Sequence, residues 1–512
     1  MQKIPVQLLN RKTMFLRPYP YEVFNEILKY RKPGWEYSPG GKAYIKNKAA
    51  KIVDENGNTP GWDGFIHLLR YDSVGTGIFL ALREKLEAEA GIKFLVEDER
   101  KPPELKQYDL PEKARDYQQQ CFQEMLKASK TGGLILQATG SGKTLQSGLY
   151  FKALVGAGVF FVDELTLLDQ AQKELEAVLG EPVGNIGNQK FNPKRITVAT
   201  IQTVHLHRFD RGFLPWIKTL QAMFIDEIHL ALNRRNFQTV AAIKPPVIFG
   251  LTATLELKKR HVAYRAYDLA GPIVFEYPLQ TGVRDGFLSK GVAVSVQLRN
   301  DVEKVAFRGW SYFQRVQFYR NLYREEYVKI IAESKKRNTL IKKLILAAHK
   351  KGKYVIVLLE RIAHLKGLSN TLDIPHDLVF GEKQASQRIE SKRRFEAGEV
   401  RVLLTNKVFK KGVDIKRVDV IIDAAGMKSR NDAIQKYGRG VRLCDQKKGL
   451  VYVDIADVGN RFEKAAKSRR LALKNIGIPV FKADSEIGAQ KILELAEKRL
   501  LDLVQKEREN DA

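Results

Sequence analysis

Gln137-Ala138-Thr139-Gly140-Ser141-Gly142-Lys143-Thr144 sets two glycines just ahead of a lysine and a hydroxyl residue, a spacing suited to holding a phosphate. Gly140 and Gly142 let the backbone curl so that successive N–H groups converge on one anion. Thr139 and Ser141 lie within the same loop. Lys143 is long enough to reach β and γ phosphates, and the Thr144 hydroxyl suits Mg²⁺. The full pattern begins with glycine, and this chain has Gln137 there. Glutamine fits if its side chain points away, because the cradle is backbone.

Other clusters carry chemistry at a distance in sequence. In Phe224-Ile225-Asp226-Glu227-Ile228-His229 an apolar run ends in two acids. At the carboxyl edge of a strand, Asp226 suits Mg²⁺ and Glu227 suits a water-activating base. An ordinary solvated acid pair is the plain alternative. Leu251-Thr252-Ala253-Thr254 ends another apolar run, and its small hydroxyl residues suit a link between a nucleotide site and a neighbouring domain. Arg115-Asp116-Tyr117-Gln118 places an amide able to read both a donor and an acceptor on adenine, although a structural role for Gln118 is equally open. Gln435-Lys436-Tyr437-Gly438-Arg439-Gly440-Val441-Arg442 spaces two arginines three apart, hence on one face if the segment is helical. Guanidiniums so placed suit a γ phosphate, and a solvated basic face is the alternative. Gly412 and Asp414, in Lys411-Gly412-Val413-Asp414-Ile415, suit a loop coupling nucleotide to nucleic acid.

These residues need strands and helices to position them. The phosphate loop lies between an apolar run, Gly133–Leu136, and a helix-compatible run, Leu145–Ala153. Further apolar runs at Val159–Val162, Ile196–Ala199, Ala222–Ile225 and Val247–Leu251 alternate with helical segments. A second alternating series has runs at Tyr354–Leu359, Leu378–Phe380, Val400–Leu404, Val418–Ile422 and Leu450–Val453. A long helical stretch, Tyr312–Lys350, precedes it. The expected fold class is therefore α/β, with two tandem doubly wound parallel sheets and a small α+β N-terminal domain. The expected domains are residues 1–108, 109–285 and 286–470, with a helical extension over 471–512. The polar stretch from Glu97 to Asp109, with prolines at 102 and 103, reads as a linker.

Composition narrows the partners. The 512 residues carry a formal net charge of +28, an excess that concentrates polyanions and favours nucleic acid. The hydrophobic share of 44% is that of a globular protein. No apolar run approaches the roughly 20 residues of a membrane span, and the first residues lack the apolar core of a signal peptide. The sequence therefore predicts a cytoplasmic protein without membrane contact. Two cysteines offer no disulfide framework or zinc site.

Taken in order, Arg-x-Tyr-Gln, Ala-Thr-Gly-Ser-Gly-Lys-Thr, Thr-Ile-Gln-Thr, Asp-Glu-Ile-His, Thr-Ala-Thr, Gly-Val-Asp and Gln-x-x-Gly-Arg-x-x-Arg resemble the motif series of a superfamily 2 helicase over about residues 110–460. Asp226–Ala231, Ala425–Arg430 and the Trp62-Asp63-Gly64 turn are most similar to the UvsW-like phage branch-migration helicases, with XPB-like helicases as neighbours. The resemblance implies two RecA-like domains closing on ATP and Mg²⁺. It assigns Lys143, Thr144, Asp226 and Glu227 to one side and Gln435, Arg439 and Arg442 to the other, with Arg115 and Gln118 at the adenine. It implies nucleic-acid contacts near Thr200, Gln202, Phe380, Gly381 and Thr405. The implied substrates are single-stranded and branched duplex DNA, with RNA in hybrids, in a host cytoplasm if the gene is a phage's. Asp163-Glu164 departs from the pattern, standing where relatives carry Pro-Thr or Pro-Arg beside the DNA.

Overall fold

The computed structural model describes residues 2–50, 52–54, 58–108, 110, 114–299, 323–406, 415, 417–427, 430–444 and 447–510. The chain divides into two compact units, one of residues 1–137 and 142–276, the other of residues 138–141 and 277–512.

The first unit begins with a small α+β domain. Its strands are β1 (Gln2–Leu8), β2 (Lys12–Phe15), β3 (Lys29–Arg31), β4 (Phe65–His67), β5 (Ser73–Gly75) and β6 (Ile92–Asp98). Four form a sheet in the order β5-β2-β1-β6, and β3 pairs with β4. Glu97 and Asp98, expected in the linker, belong to β6 because its parallel ladder with β1 runs on to Leu8↔Asp98. Phe15, Phe24, Phe79 and Phe94 fill this domain's core under the helix Thr76–Ala90. The Trp62-Asp63-Gly64 turn feeds β4. Gly64 has φ +85°, and a Cβ there would lie 2.3 Å from the Trp35 ring, so the turn tolerates no other residue. Arg11 docks this domain on the rest of the unit, its guanidinium donating to the carbonyls of Pro245 at 2.9 Å and Leu269 at 3.3 Å. Tyr264 Oη adds a bond to the Ile27 carbonyl at 2.8 Å.

The remainder of the unit holds β7 (Gly132–Gln137), β8 (Ala157–Val162), β9 (Gly184–Gly187), β10 (Lys190–Asn192), β11 (Ile196–Thr200), β12 (Leu220–Ile225), β13 (Val247–Thr252) and β14 (Ile273–Tyr277). They form one sheet in the order β10-β9-β11-β8-β12-β13-β7-β14. Pairing from β9 across to β7 is parallel throughout. Its strands are apolar on both faces, as a parallel sheet between two helical layers requires. Phe160 and Val162 enter one core with Phe224 and Phe249, while Val159 and Phe161 enter the other with Met223 and Ile225.

The second unit holds β15 (Gly291–Arg299), β16 (Val355–Leu358), β17 (Asp377–Val379), β18 (Val402–Thr405), β19 (Val420–Asp423), β20 (Leu450–Val458) and β21 (Val480–Asp484). Their order is β17-β18-β16-β19-β20-β15-β21, all parallel. The α/β expectation holds, with additions. The stretch 471–512 is more than a helical extension: β21 pairs with β15, and Ile492, Leu493 and Ala496 of the helix Ala489–Asn510 are buried in the unit's core. The expected helix Tyr312–Lys350 lies outside the described residues up to 322. Beyond them it is broken: Tyr327–Ala332 winds as a π-helix, and a new helix, Lys335–Lys350, starts at Ser334. Ser334 Oγ accepts from the N–H of Arg337, whose buried guanidinium meets Asp457 at 3.2 Å and the Ala424 carbonyl at 3.0 Å. Among the described residues no helix is long and apolar enough to cross a membrane.

Candidate active site

The phosphate loop leaves the carboxyl end of β7 and enters the helix Lys143–Ala153. Gly140 and Gly142 stand at φ +89° and +86°, where a side chain is strained. A Cβ on Gly142 would also come within 2.7 Å of the Gln118 amide nitrogen. The loop therefore needs glycine for its backbone shape, which fits a backbone cradle for phosphate. Gln137, the departure from the pattern, is 1% exposed. Its side chain bonds the Cys121 thiol in the core below, and its carbonyl accepts from Lys143 Nζ at 3.4 Å. Burial pushes that thiol up, against the pull of the Gln137 bond. The side chain thus points away from the cradle, as expected.

The sheet order β12-β13-β7 places the end of β13 between the Asp-Glu pair and the loop. Asp226 turns its Oδ1 onto the N–H of Glu227 at 3.0 Å. Glu227 adopts φ +49°, which lifts its carboxylate out of the strand line. Thr252 Oγ1 donates to Glu227 Oε2 at 2.9 Å, and His229 Nδ1 lies 3.2 Å from the same oxygen. Burial raises the Glu227 carboxyl, but bonds from His229 and Thr252 and the charge of Lys143 outweigh it and hold it below the ordinary carboxylate range. A base kept ionised beside a phosphate loop is equipped to accept a proton from water.

Gln118 caps the start of the helix Asp116–Lys127, its Oε1 accepting the Arg115 N–H at 3.1 Å while its own N–H donates to the Arg115 carbonyl at 2.8 Å. The adenine-reading candidate thus has a structural task as well. Thr200 is 2% exposed and caps the helix Ile201–His207 through the Thr203 N–H at 3.3 Å. Gln202 is exposed and donates to Asp163 Oδ1 at 3.3 Å, so one of the unexpected acids engages a candidate nucleic-acid residue.

In the second unit the helix Arg430–Gly440 carries Gln435 and Arg439. It ends before Arg442, which lies in an isolated bridge to Leu288, so the two arginines do not share a helical face as their spacing suggested. Lys447 Nζ closes the helix end on the carbonyls of Gly440 and, at 3.3 Å, Arg442. A buried ion pair anchors the middle: Lys436 Nζ meets Asp423 Oδ2 at 2.7 Å, and Tyr452 Oη donates to the same oxygen at 2.7 Å. Phe380 is 7% exposed, with Lys366 and Lys383 at 5.6 and 5.8 Å from its ring, and Gly381 follows on the surface. Thr405, 1% exposed, ends β18. Gly412 and Asp414 lie outside the described residues. The sequence reading named His229 and Thr252 within motifs without seeing that both serve Glu227, and it missed the Lys436–Asp423 pair.

Residues 112–257 match the family described as type III restriction enzyme, res subunit, and residues 335–444 match the helicase conserved C-terminal domain. The chain is 26% identical over 371 residues to the putative ATP-dependent helicase IRC3 of Saccharomyces cerevisiae, covering 67% of this chain and 51% of that one. It is 25% identical to the DNA 3′-5′ translocase XPB2 of Sulfurisphaera tokodaii, over 70% of this chain and 84% of that one. It is 24% identical to the ATP-dependent DNA helicase uvsW of phage T4, over 54% of this chain and 53% of that one. This chain therefore spans about half the length of the yeast and phage relatives. The fold is shared with S. cerevisiae Dbp5 bound to RNA and ADP BeF3, at TM-score 0.52, 15% identity, 75% of this chain and 93% of that one.

Both halves of the chain thus carry helicase domains in the order the motifs predict, and the sheets are those of tandem RecA-like units. The chain resembles the superfamily 2 helicases in both of its matched segments. Within that superfamily it is UvsW-like, with XPB-related proteins among its relatives.

Proposed function

We propose that this chain is an ATP-driven motor that tracks DNA and remodels branched substrates such as forks, four-way junctions and R-loops. The observation that supports the motor most is Glu227, held ionised by His229 and Thr252 next to the phosphate loop. In this reading the loop amides and Lys143 bind the phosphates of ATP, and Arg115 and Gln118 border its base. Thr144 and Asp226 would hold Mg²⁺, which when bound draws charge from the phosphate oxygens. Glu227 orients the attacking water and accepts its proton. Arg439 and Arg442, with Gln435 on the same segment, are the positive charges we assign to the γ phosphate as it departs.

DNA as the track is supported by the relatives named for it in T4 and S. tokodaii and by the net charge of +28. The archaeal relative's 3′-5′ direction is the one we assign here. Gln202 and Gly381 are the accessible members of the proposed track, and the buried Phe380 would support it from the core side. Thr200 and Thr405 would stiffen it from below, one as a helix cap and the other at a strand end. We assign residues 1–108 to substrate contact, 109–285 to ATP binding, and 286–470 with 471–512 to the second motor half.

The decisive assay is ATP turnover without nucleic acid and with single-stranded DNA, duplex DNA, forked DNA or RNA. Forked DNA is expected to stimulate most. Stimulation by none of them would sink the motor, and stimulation by RNA alone would move the substrate to RNA. Lys143→Ala should abolish turnover. Glu227→Gln should still bind ATP while hydrolysing it at least about a hundredfold more slowly, the scale of a lost catalytic base. Arg439→Ala should lower turnover more than nucleotide affinity.

A further inference from the structure

Tyr71 is 93% exposed, the largest exposure of any large hydrophobic side chain described. It sits at the tip of a two-residue turn in the N-terminal domain, closed by Arg70 N–H to the Ser73 carbonyl at 2.9 Å and Ser73 N–H to the Arg70 carbonyl at 3.0 Å. Both central residues are left-handed, Tyr71 at φ +48° and Asp72 at φ +56°. Such turns select Asn-Gly, and a bulky residue there is an outlier. The strain is held by bracing from below. Arg17 grips Asp72 with bonds of 3.0 and 2.9 Å, Tyr19 Oη donates to Asp72 at 2.6 Å, and the Phe15 N–H donates to the Asp72 carbonyl at 2.8 Å. The fold thus maintains a costly backbone whose visible product is an aromatic ring standing in solvent. Its surroundings are cationic and aromatic. Arg70 is exposed, the Arg17 side chain is 73% exposed, and Tyr21, beside Arg17, is 44% exposed.

We propose that Tyr71 is a stacking post for an unpaired base, with Arg17 and Arg70 on the flanking phosphates. A ring on a braced tip loses little conformational freedom when a base covers it, and stacking is indifferent to base identity. A base buried in an intact duplex has no free face to offer, so the post recognises the place where strands part. This deepens the branched-DNA reading and rests on it.

The test is equilibrium binding of the full chain, without ATP, to a fork with single-stranded arms and to a blunt duplex of equal length. Tyr71→Ala should weaken fork binding about tenfold and leave duplex binding and basal ATP turnover unchanged, in line with one lost base stack. Tyr71→Phe should bind like the wild type. Tyr71→Asn, which accepts the left-handed backbone, should raise the thermal midpoint yet bind the fork as weakly as Tyr71→Ala. Unchanged fork affinity in Tyr71→Ala overturns the proposal, as does an equal loss on fork and duplex. Should the alanine variant not fold, the asparagine variant decides alone by the same fork-to-duplex ratio. Failure of the motor reading shows separately, as wild-type turnover that no nucleic acid stimulates.

Discussion

Glu227 shows how neighbours set the working state of one side chain. Its burial alone would favour the neutral acid, and the bonds from His229 and Thr252, with the charge of Lys143, reverse that. A carboxyl depressed in the folded state adds stability above its unfolded value and loses it only as pH falls through the lower folded value. The acid limb of ATP turnover should accordingly lie below the ordinary carboxylate range. His229→Ala removes one of the depressing partners, so the limb should move to higher pH, as a pH profile of the turnover number would show; an unmoved limb would separate His229 from the base. At this scale the sequence was legible where chemistry demands a residue type. Gly140, Gly142, Lys143 and the Asp-Glu pair announce themselves because no other side chains serve. The bonds from His229 and Thr252 to Glu227, and from Gln137 to Cys121, depend on how three strand ends align, and spacing along the chain does not encode that.

The helix Arg430–Gly440 is positioned by a charge placed where charge is costly. Lys436 and Asp423 are 2% and 1% exposed, and Tyr452 shares the carboxylate. Breaking such a pair from one side strands a buried ion, at a cost of about 3–5 kcal/mol. Lys436→Met should lower the thermal midpoint sharply. Adding Asp423→Asn, which keeps an acceptor for Tyr452, should recover part of the loss; a double variant less stable than the single would show that the pair is not coupled. The strands legible in the sequence are the buried apolar runs, such as Val159–Val162 and Val247–Leu251. β9, built from Gly-Asn-Ile-Gly, has no such run and owes its place to pairing with β11. β21, Val-Phe-Lys-Ala-Asp, lies in a charged stretch read as helical, and only its ladder with β15 makes it a strand. The break at Ser334 likewise follows from the burial of Arg337, a tertiary demand.

Across the molecule, the N-terminal domain is fastened to the rest of the first unit through Arg11 and Tyr264. Removing residues 1–108 should therefore reduce fork affinity far more than basal ATP turnover, compared by titration and by steady-state hydrolysis. An equal loss of both would make that domain a structural part of the motor. The interior strand β15 carries a different consequence. It lies between β20 and β21, in register Gly291↔Leu450 and Ala293↔Val480, so its two neighbours are synthesised long after it. On the ribosome the first unit can fold while the second is still being made, but β15 must wait, unpaired and apolar, until Asp484 has emerged. Translation speed and chaperone access in that interval then bear on how much of the chain reaches the finished fold.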